Sequence, residues 1–223
     1  MSRLKWGENG TKKYKVGVKN GVLYPAVSGA YPKGVPWSGL TKVTESPSGA
    51  EPTSLYADDA KYLSLMSAED FGCTIEAYYS PEEFDECDGT AEIAEGVRVS
   101  QQTRKPFGFC YRTGIGNDSE GAEYGYELHL VYGALASPSS HDNSTVNENP
   151  EVSPLSWEVK TTPVPVPNKK PTAHLIIDST KIDAEKLTKI EDILYGKDGV
   201  DGADGTDARL PLPAEIITIL AEA

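Results

Sequence analysis

Short runs in which apolar and polar residues alternate constrain the fold of this chain more than any other feature. Residues 124–132 place an apolar or aromatic side chain at every second position, and residues 107–111, 155–159 and 173–177 alternate in the same way. Successive side chains of a β-strand point to opposite faces, so each run predicts a strand with one buried face. Such strands are typical of antiparallel sheets. The sequence therefore predicts a mainly β protein with an antiparallel β-sandwich or barrel-like body.

Two hairpins are predicted in the first third of the chain. Residues 13–19 alternate and lead into Asn20-Gly21, the pair preferred in a two-residue type I′ turn, so we expect a hairpin there. Residues 35–65 form a longer extended segment, interrupted by a stretch rich in Ser, Pro and Gly. This composition predicts an exposed tip, and we interpret 35–65 as a long hairpin that projects from the body. An ordinary surface loop is the alternative.

Helical patterns are few. Residues 183–195 repeat leucine or isoleucine at three- and four-residue spacing, which predicts one flanking helix. A short C-terminal helix is expected to begin at Pro213, and a helix of about two turns is expected at 81–88. The segment 183–223 is thus expected to hold the C-terminal helices and, at 196–207, an acidic loop of Gly-x-Asp repeats.

Composition is that of a soluble globular chain, and the length of 223 residues suits a single domain, 1–223. No run approaches the roughly 18 apolar residues of a membrane-spanning helix, and the first residues lack the apolar core of a secretory signal. We therefore expect no membrane association and synthesis in the cytoplasm. The three cysteines, an odd number without a Cys-x-x-Cys pair, favour reduced thiols over disulfides or a zinc site.

Charge is distributed unevenly along the chain. The net charge of −13 disfavours tight binding of nucleic acid, which draws on Lys and Arg. Residues 1–42, which include a basic N-terminal arm at 1–20, carry eight Lys or Arg and one acid. Residues 69–95 carry ten acids and no base. Opposite patches on one chain suit head-to-tail self-assembly, although a scattered solvated surface would give the same counts.

No catalytic constellation is evident. His129 and His174 fall on the polar phase of strands and His141 lies in a loop, which favours structural or solvated roles over catalysis. Gly114-Ile-Gly116 lacks the third glycine and the following helix of a dinucleotide site. The sequence therefore predicts that the protein is not an enzyme and that it uses no cofactor and no metal.

Seven segments that span nearly the whole chain, in order, resemble the major tail proteins of siphovirus-type bacteriophages and related prophages. They are GVPWSGLT with TESPSGAE (34–51), LYADD with KYLSLM (55–66), TIEAY with PEEF (74–84), QQTR with FCYR (101–112), YGY with LHLVYG (124–133), IDST (177–180) and ARLPLP (208–213). Because the segments cover the chain from end to end, the resemblance is to a full-length subunit.

The resemblance implies a structural virion protein with a tail-tube fold. Six copies would form a ring, and rings would stack with a fixed rotation into a hollow tube for DNA ejection, because a heterologous contact that does not close yields a filament. The implied partners are further copies of this chain, other tail proteins (tape measure, tail tip and terminator), and viral DNA that passes through the lumen without specific binding. Excess acid would line the bore and repel phosphate.

The resemblance also implies where rings meet. The projecting loop and the basic N-terminal segment would become ordered on stacking and bridge successive rings. The expected contact residues are Ser46, Pro47, Ser48, Gly49, Ala50 and Glu51.

Two other functions fit the same patterns. One is a carbohydrate-binding or adhesin-like β-sandwich of a phage tail, in which Trp6, Trp37 and Trp157 would stack on sugars, although Trp157 is in strand phase with apolar neighbours. The other is a tail terminator subunit, which would form one closed ring and never polymerise.

Overall fold

The computed structural model describes residues 3–143, 145, 148, 152–199 and 205–221. The protein is mainly β, with 47% strand and 13% helix, and the predicted β-sandwich-like fold class is confirmed. The described strands are β1 (Lys13–Pro25), β2 (Val35–Trp37), β3 (Leu40–Glu45), β4 (Ser48–Gly49), β5 (Pro52–Ala57), β6 (Ala60–Met66), β7 (Glu69–Asp70), β8 (Gly72–Ala77), β9 (Ala91–Ala94), β10 (Val97–Val99), β11 (Phe107–Asn117), β12 (Gly121–Ala136), β13 (Leu155–Thr161) and β14 (His174–Asp178). The helices are α1 (Asp85–Asp88), which follows a 3-10 turn at Glu82–Phe84, α2 (Ala184–Tyr195) and α3 (Pro213–Ala221).

One large antiparallel sheet forms the body. Its strand order is β2–β1–β11–β12–β13–β8–β3, and β14 pairs with a separate part of β12. Residues 127–131 of β12 pair with β14, whereas residues 134–136 pair with β13. Gly133, with φ +57°, lies between these two pairings. The sheet branches here, and β13, β8 and β3 pack across one face of β1, β11 and β12.

An aromatic core fills the space between the two parts of the sheet. The ring centroid of Trp37 lies 4.6 Å from that of Phe84 and 5.5 Å from that of Trp157. Phe109 of β11 joins them, and each of the four side chains is at most 2% exposed. Tilted and edge-to-face contacts of this kind add to the stabilisation that burial alone provides.

Helices α2 and α3 cover the opposite face of the sheet. Helix α2 begins at Ala184 because the side chain of Asp183 accepts hydrogen bonds from the first free backbone amides. Its buried residues are Leu187, Ile190 and Leu194, the set that the spacing predicted. The helix predicted at 183–195 is therefore confirmed within one residue, as is the short helix that begins at the predicted proline.

Strand β12 lies between two layers, one formed by β3, β8 and β13 and the other by α2 and α3, and is buried on both faces. His129 and Val131 face the strand layer, whereas Leu128 and Leu130 face the helices. All four side chains are at most 3% exposed. The expectation that the polar phase of this strand faces solvent is therefore wrong.

The predicted turn at Asn20-Gly21 is also wrong. Strand β1 continues through these residues without reversing and pairs with β11 along its whole length. Asn20 adopts φ +54°, the left-handed conformation that a type I′ turn uses. Here it forms part of an irregular pairing, since the register shifts between Lys19 and Val22. A bulge in the strand, instead of a turn, therefore accommodates the left-handed conformation of Asn20.

The long hairpin exists, but its tip lies elsewhere. The strands β3 and β8 pair at its base, β4 and β7 pair next, and β5 and β6 pair last, with the turn at Asp58 and Asp59. We call residues 46–71 the arm. The prediction that the stretch rich in Ser, Pro and Gly, at 45–52, forms the tip is wrong, because it lies at the root of the arm. Of the acidic run at 196–207, residues 200–204 lie outside the described residues.

Candidate functional site

The outer part of the arm is almost entirely exposed. Of the thirteen residues in β5 and β6, twelve are exposed, and the thirteenth is half-buried. Asp58 and Asp59 have φ values of +52° and +57°, as the two central residues of a type I′ turn require. An isolated two-stranded hairpin is marginally stable in water, so this one is suited to being covered by another surface.

The arm carries apolar side chains on both of its faces. Leu55 pairs directly with Leu63, and Leu65 lies on the same face two residues further along. Tyr62 and Met66 lie on the other face and are each 70% exposed. Contiguous apolar surface that none of the described residues covers is typical of an interaction site.

The six predicted contact residues at 46–51 are brought together, but in a ladder instead of a loop. The amide of Ser46 donates to the carbonyl of Gly72 at 2.8 Å, and that of Ala50 donates to Ala68 at 3.3 Å. Ser48 and Gly49 form β4, opposite β7. The side chains of Pro47 and Glu51 are exposed. The segment therefore fixes the angle at which the arm leaves the body.

The amino-terminal segment lies at one end of the long strands. The amide of Gly10 donates to the Asp118 carboxylate at 2.9 Å, which holds the segment beside the turn between β11 and β12. Leu4 and Trp6 are 74% and 82% exposed. Asp118 also lies 3.9 Å from the ammonium group of Lys12. Neighbouring carboxylates therefore offset part of the positive charge of the basic N-terminal residues.

An acidic cluster lies at the opposite end of the long strands. Residues 82–95 carry seven carboxylates, six of them on the 3-10 turn, α1 and β9 and the seventh just after β9. Three cations, Arg98, Arg104 and Lys105, pair with some of them. Lys105 lies two residues before the start of β11, whereas Asp118 follows its end. The eleven residues of β11 separate the two ends by about 35 Å. This end of the body therefore carries more acids than bases.

Three residues meet at the root of the arm, and we call them the histidine cluster: Glu45, His129 and His174. The Nδ1 atom of His129 lies 3.1 Å from Nε2 of His174 and 3.3 Å from Oε1 of Glu45. The three side chains come from β3, β12 and β14, which are far apart in the sequence. His129 is 3% exposed. Its ring stacks on Tyr111, and the ring of His174 stacks on Phe71.

Polar neighbours hold the histidine cluster in place. The Nε2 atom of His129 lies 2.9 Å from Oγ1 of Thr113 and 3.6 Å from Oε2 of Glu127. The phenol of Tyr111 donates to Oε1 of Glu45 at 2.8 Å. Each member therefore has a fixed orientation.

Burial keeps the two rings uncharged. Desolvation, and next the neighbouring His174, lower the pKa of His129 to about 4, against the opposing effect of Glu45 and Glu127. Desolvation also lowers the pKa of His174. At neutral pH both imidazoles are therefore neutral, and their lone pairs are not occupied by an added proton. Sequence reasoning missed this cluster.

Two of the three tryptophans and all three cysteines lie in the core. Trp37 and Trp157 are buried, so a sugar-stacking platform built from them and Trp6 is wrong. All three cysteines are buried and unpaired, and burial raises the pKa of each thiol to about 12. Such thiols are inert core residues.

Comparisons with known proteins give no family for the chain. No protein-family model matches it, and no curated protein shows a significant match. No helix within the described residues is long and apolar enough to cross a membrane.

Proposed function

We propose that this chain is the major tail-tube subunit of a long-tailed bacteriophage. It is a structural virion protein, made in the host cytoplasm, that forms hexameric rings, and the rings stack into the tube through which viral DNA is ejected. The observation that carries the proposal is the arm, because an exposed two-stranded hairpin with apolar residues on both faces needs a surface to pack on.

In the proposed tube, the arm of one subunit packs on a different surface of the next subunit. A contact between two different surfaces is heterologous, and it produces either a ring or an open filament. A tube of stacked rings needs both kinds of heterologous contact: one that closes each ring and one that continues from ring to ring along the tube.

The sheet offers further surface for closing a ring. Strand β14 pairs only with β12 within the described chain, and β3 pairs only with β8. Unpaired strand edges are liable to associate with other chains, and joining the sheets of neighbouring subunits would remove these edges.

Electrostatics suits a conduit for DNA. A net charge of −13 opposes the counterion release that gives proteins affinity for the phosphate backbone. Acids that face the bore would let the genome slide without binding. The acidic end of the body would also steer docking onto a less acidic end of the next subunit.

Negative-stain electron microscopy of the purified chain at rising concentration tests the proposal. We expect tubes, or stacked rings with a central hole. In a matched variant, residues 52–66 are replaced by a short Gly-Ser turn, which keeps the β4–β7 pair. This variant should keep the thermal stability of the parent but form no stacks. Single rings from the parent chain would favour a tail terminator, and monomers that bind glycans would favour the adhesin-like alternative.

A further inference from the structure

We propose that Glu45, His129 and His174 form a binding site for a divalent transition-metal ion, with Zn²⁺ as the reference ion. The site stands apart from the proposed function, since it depends only on these three side chains and their neighbours. Their candidate ligand atoms all lie within 4.8 Å of one another.

Two of the three separations between the ligand atoms match a tetrahedral site. Zinc binds nitrogen and oxygen at about 2.0–2.1 Å, so two ligand atoms of one tetrahedral ion lie about 3.3 Å apart. The separations from His129 Nδ1 are 3.1 Å to His174 Nε2 and 3.3 Å to Glu45 Oε1. The cluster therefore needs only small side-chain shifts to bind an ion.

A single hydrogen bond at Nδ1 of His129 cannot join both of its neighbours in the cluster. The Nδ1 atom of His129 either carries one proton or offers one lone pair, so it forms one good hydrogen bond in its ring plane. Two groups, His174 Nε2 and Glu45 Oε1, lie within reach of it. A metal ion would satisfy all three groups at once.

The donor set selects the class of ion. Two neutral imidazoles and one carboxylate suit Zn²⁺, Ni²⁺, Cu²⁺ or Fe²⁺, whereas Ca²⁺ and Mg²⁺ prefer oxygen ligands alone. Three protein ligands leave a fourth position for water. The Glu45 side chain is 39% exposed, which gives an ion a route from solvent.

The neighbouring residues resemble the supporting shell of a metal site. A histidine that binds a metal usually donates the N–H of its other ring nitrogen to a polar oxygen, which fixes the tautomer. Nε2 of His129 faces Thr113 Oγ1 and, at longer range, Glu127 Oε2. Lys15 holds that same carboxylate oxygen at 2.6 Å. With Nδ1 on the metal, Nε2–H would have these two acceptors available.

An ion at this site would fix the root of the arm. It would join β3, β12 and β14, and Glu45 is the last residue of β3 before the arm begins. Binding to the folded chain alone also raises its stability by mass action. We therefore expect a higher melting temperature with Zn²⁺ than in the presence of a chelator.

The test uses untagged, metal-stripped protein titrated with ZnCl₂ by calorimetry and with Co²⁺ by visible absorption. We expect one ion per chain and the d–d bands of four- or five-coordinate Co²⁺. His174→Gln and Glu45→Gln should each weaken Zn²⁺ binding at least tenfold. His141→Gln is the matched control, since His141 is the third histidine and lies beside Asp88, away from the cluster, and it should bind as the parent does.

Three results would overturn the site: no binding by the parent chain, equal weakening by His141→Gln, or a thiolate charge-transfer band that places Co²⁺ on a cysteine. Circular dichroism checks that each variant is folded. If His174→Gln does not fold, Glu45→Gln decides, because its amide oxygen can still accept the hydrogen bond of Tyr111 while the anionic ligand is lost.

Discussion

Gly133 occupies the corner of β12, and its surroundings leave no room for a side chain. An added Cβ would lie 2.2 Å from the carbonyl oxygen of Thr162, which is backbone and cannot rotate away. The amide of Thr162 in turn donates to the carbonyl of Gly133 at 2.9 Å. This close approach is what lets β12 change partner from β14 to β13 and so create the second layer.

We predict that Gly133→Ala lowers the free energy of unfolding by about 2–4 kcal/mol, because left-handed strain and a backbone clash add together. Gly29→Ala is the matched control: Gly29 has φ +81° but nothing within 4 Å of an added Cβ. It should cost only about 1 kcal/mol. Urea unfolding followed by tryptophan fluorescence measures both, and equal losses would show that the clash has no effect.

The histidine cluster shows why some residues escape sequence analysis. Nothing in the local sequence links positions 45, 129 and 174, since they meet only through pairing between distant strands. One signal was present: residues 128–136 read LHLVYGALA, a nearly continuous apolar run. Such a run is typical of a strand buried on both faces, whereas strict alternation indicates one buried face. Giving it more weight would have placed His129 in the core.

At the scale of elements, the helix predictions succeeded because a pattern many residues long and a cap indicated the same element. The spacing of Leu187, Ile190 and Leu194 and the cap at Asp183 are contained within one helix, and α2 follows them. The turn at Asn20-Gly21 failed because the pairing of β1 with β11 outweighed a preference of two residues. The predicted position of the tip is wrong because the proline, serine and glycine at the root of the arm are more typical of a turn than Asp58-Asp59.

Helix α3 gives a prediction about pH. The hydrogen bond from Arg209 holds the pKa of Glu215 below its usual value of 4.5, against the opposing effect of burial. A depressed carboxyl pKa stabilises the fold above the unfolded value, and this contribution is lost as the pH falls through the folded value. Both side chains are partly exposed, at 42% and 38%, so the contribution is under about 1 kcal/mol.

We therefore expect Arg209→Gln to melt at a lower temperature than the parent at pH 6, and the difference to shrink as the pH approaches 3. Differential scanning calorimetry at both pH values measures it. Lys181→Gln is a comparison at a second ion pair, where Lys181 lies 2.9 Å from Asp178. A difference for Arg209→Gln that is unchanged at pH 3 would rule out the ionised Glu215 as its source.

At the scale of the whole molecule, the three layers and the arm differ in how they are stabilised. The layers bury two continuous apolar clusters, whereas the β5–β6 hairpin is held by little besides its own ladder. Local stability should differ accordingly, because segments with few buried contacts open at low free-energy cost. Under the proposed function, the arm is then a described segment whose order should depend on assembly.

Hydrogen exchange measured by mass spectrometry turns this difference into a prediction that rests on the proposed function. In the unassembled chain, backbone amides of 52–66 should exchange within seconds, while those of β11, paired on both sides, stay protected. In assembled tubes, exchange at 52–66 should slow by at least a hundredfold, because packing against a neighbour removes the opening on which exchange depends. β11 serves as the internal control, since its protection should hardly change. Tubes in which 52–66 still exchanges within seconds would show that the arm is not the inter-ring contact, even though the chain polymerises.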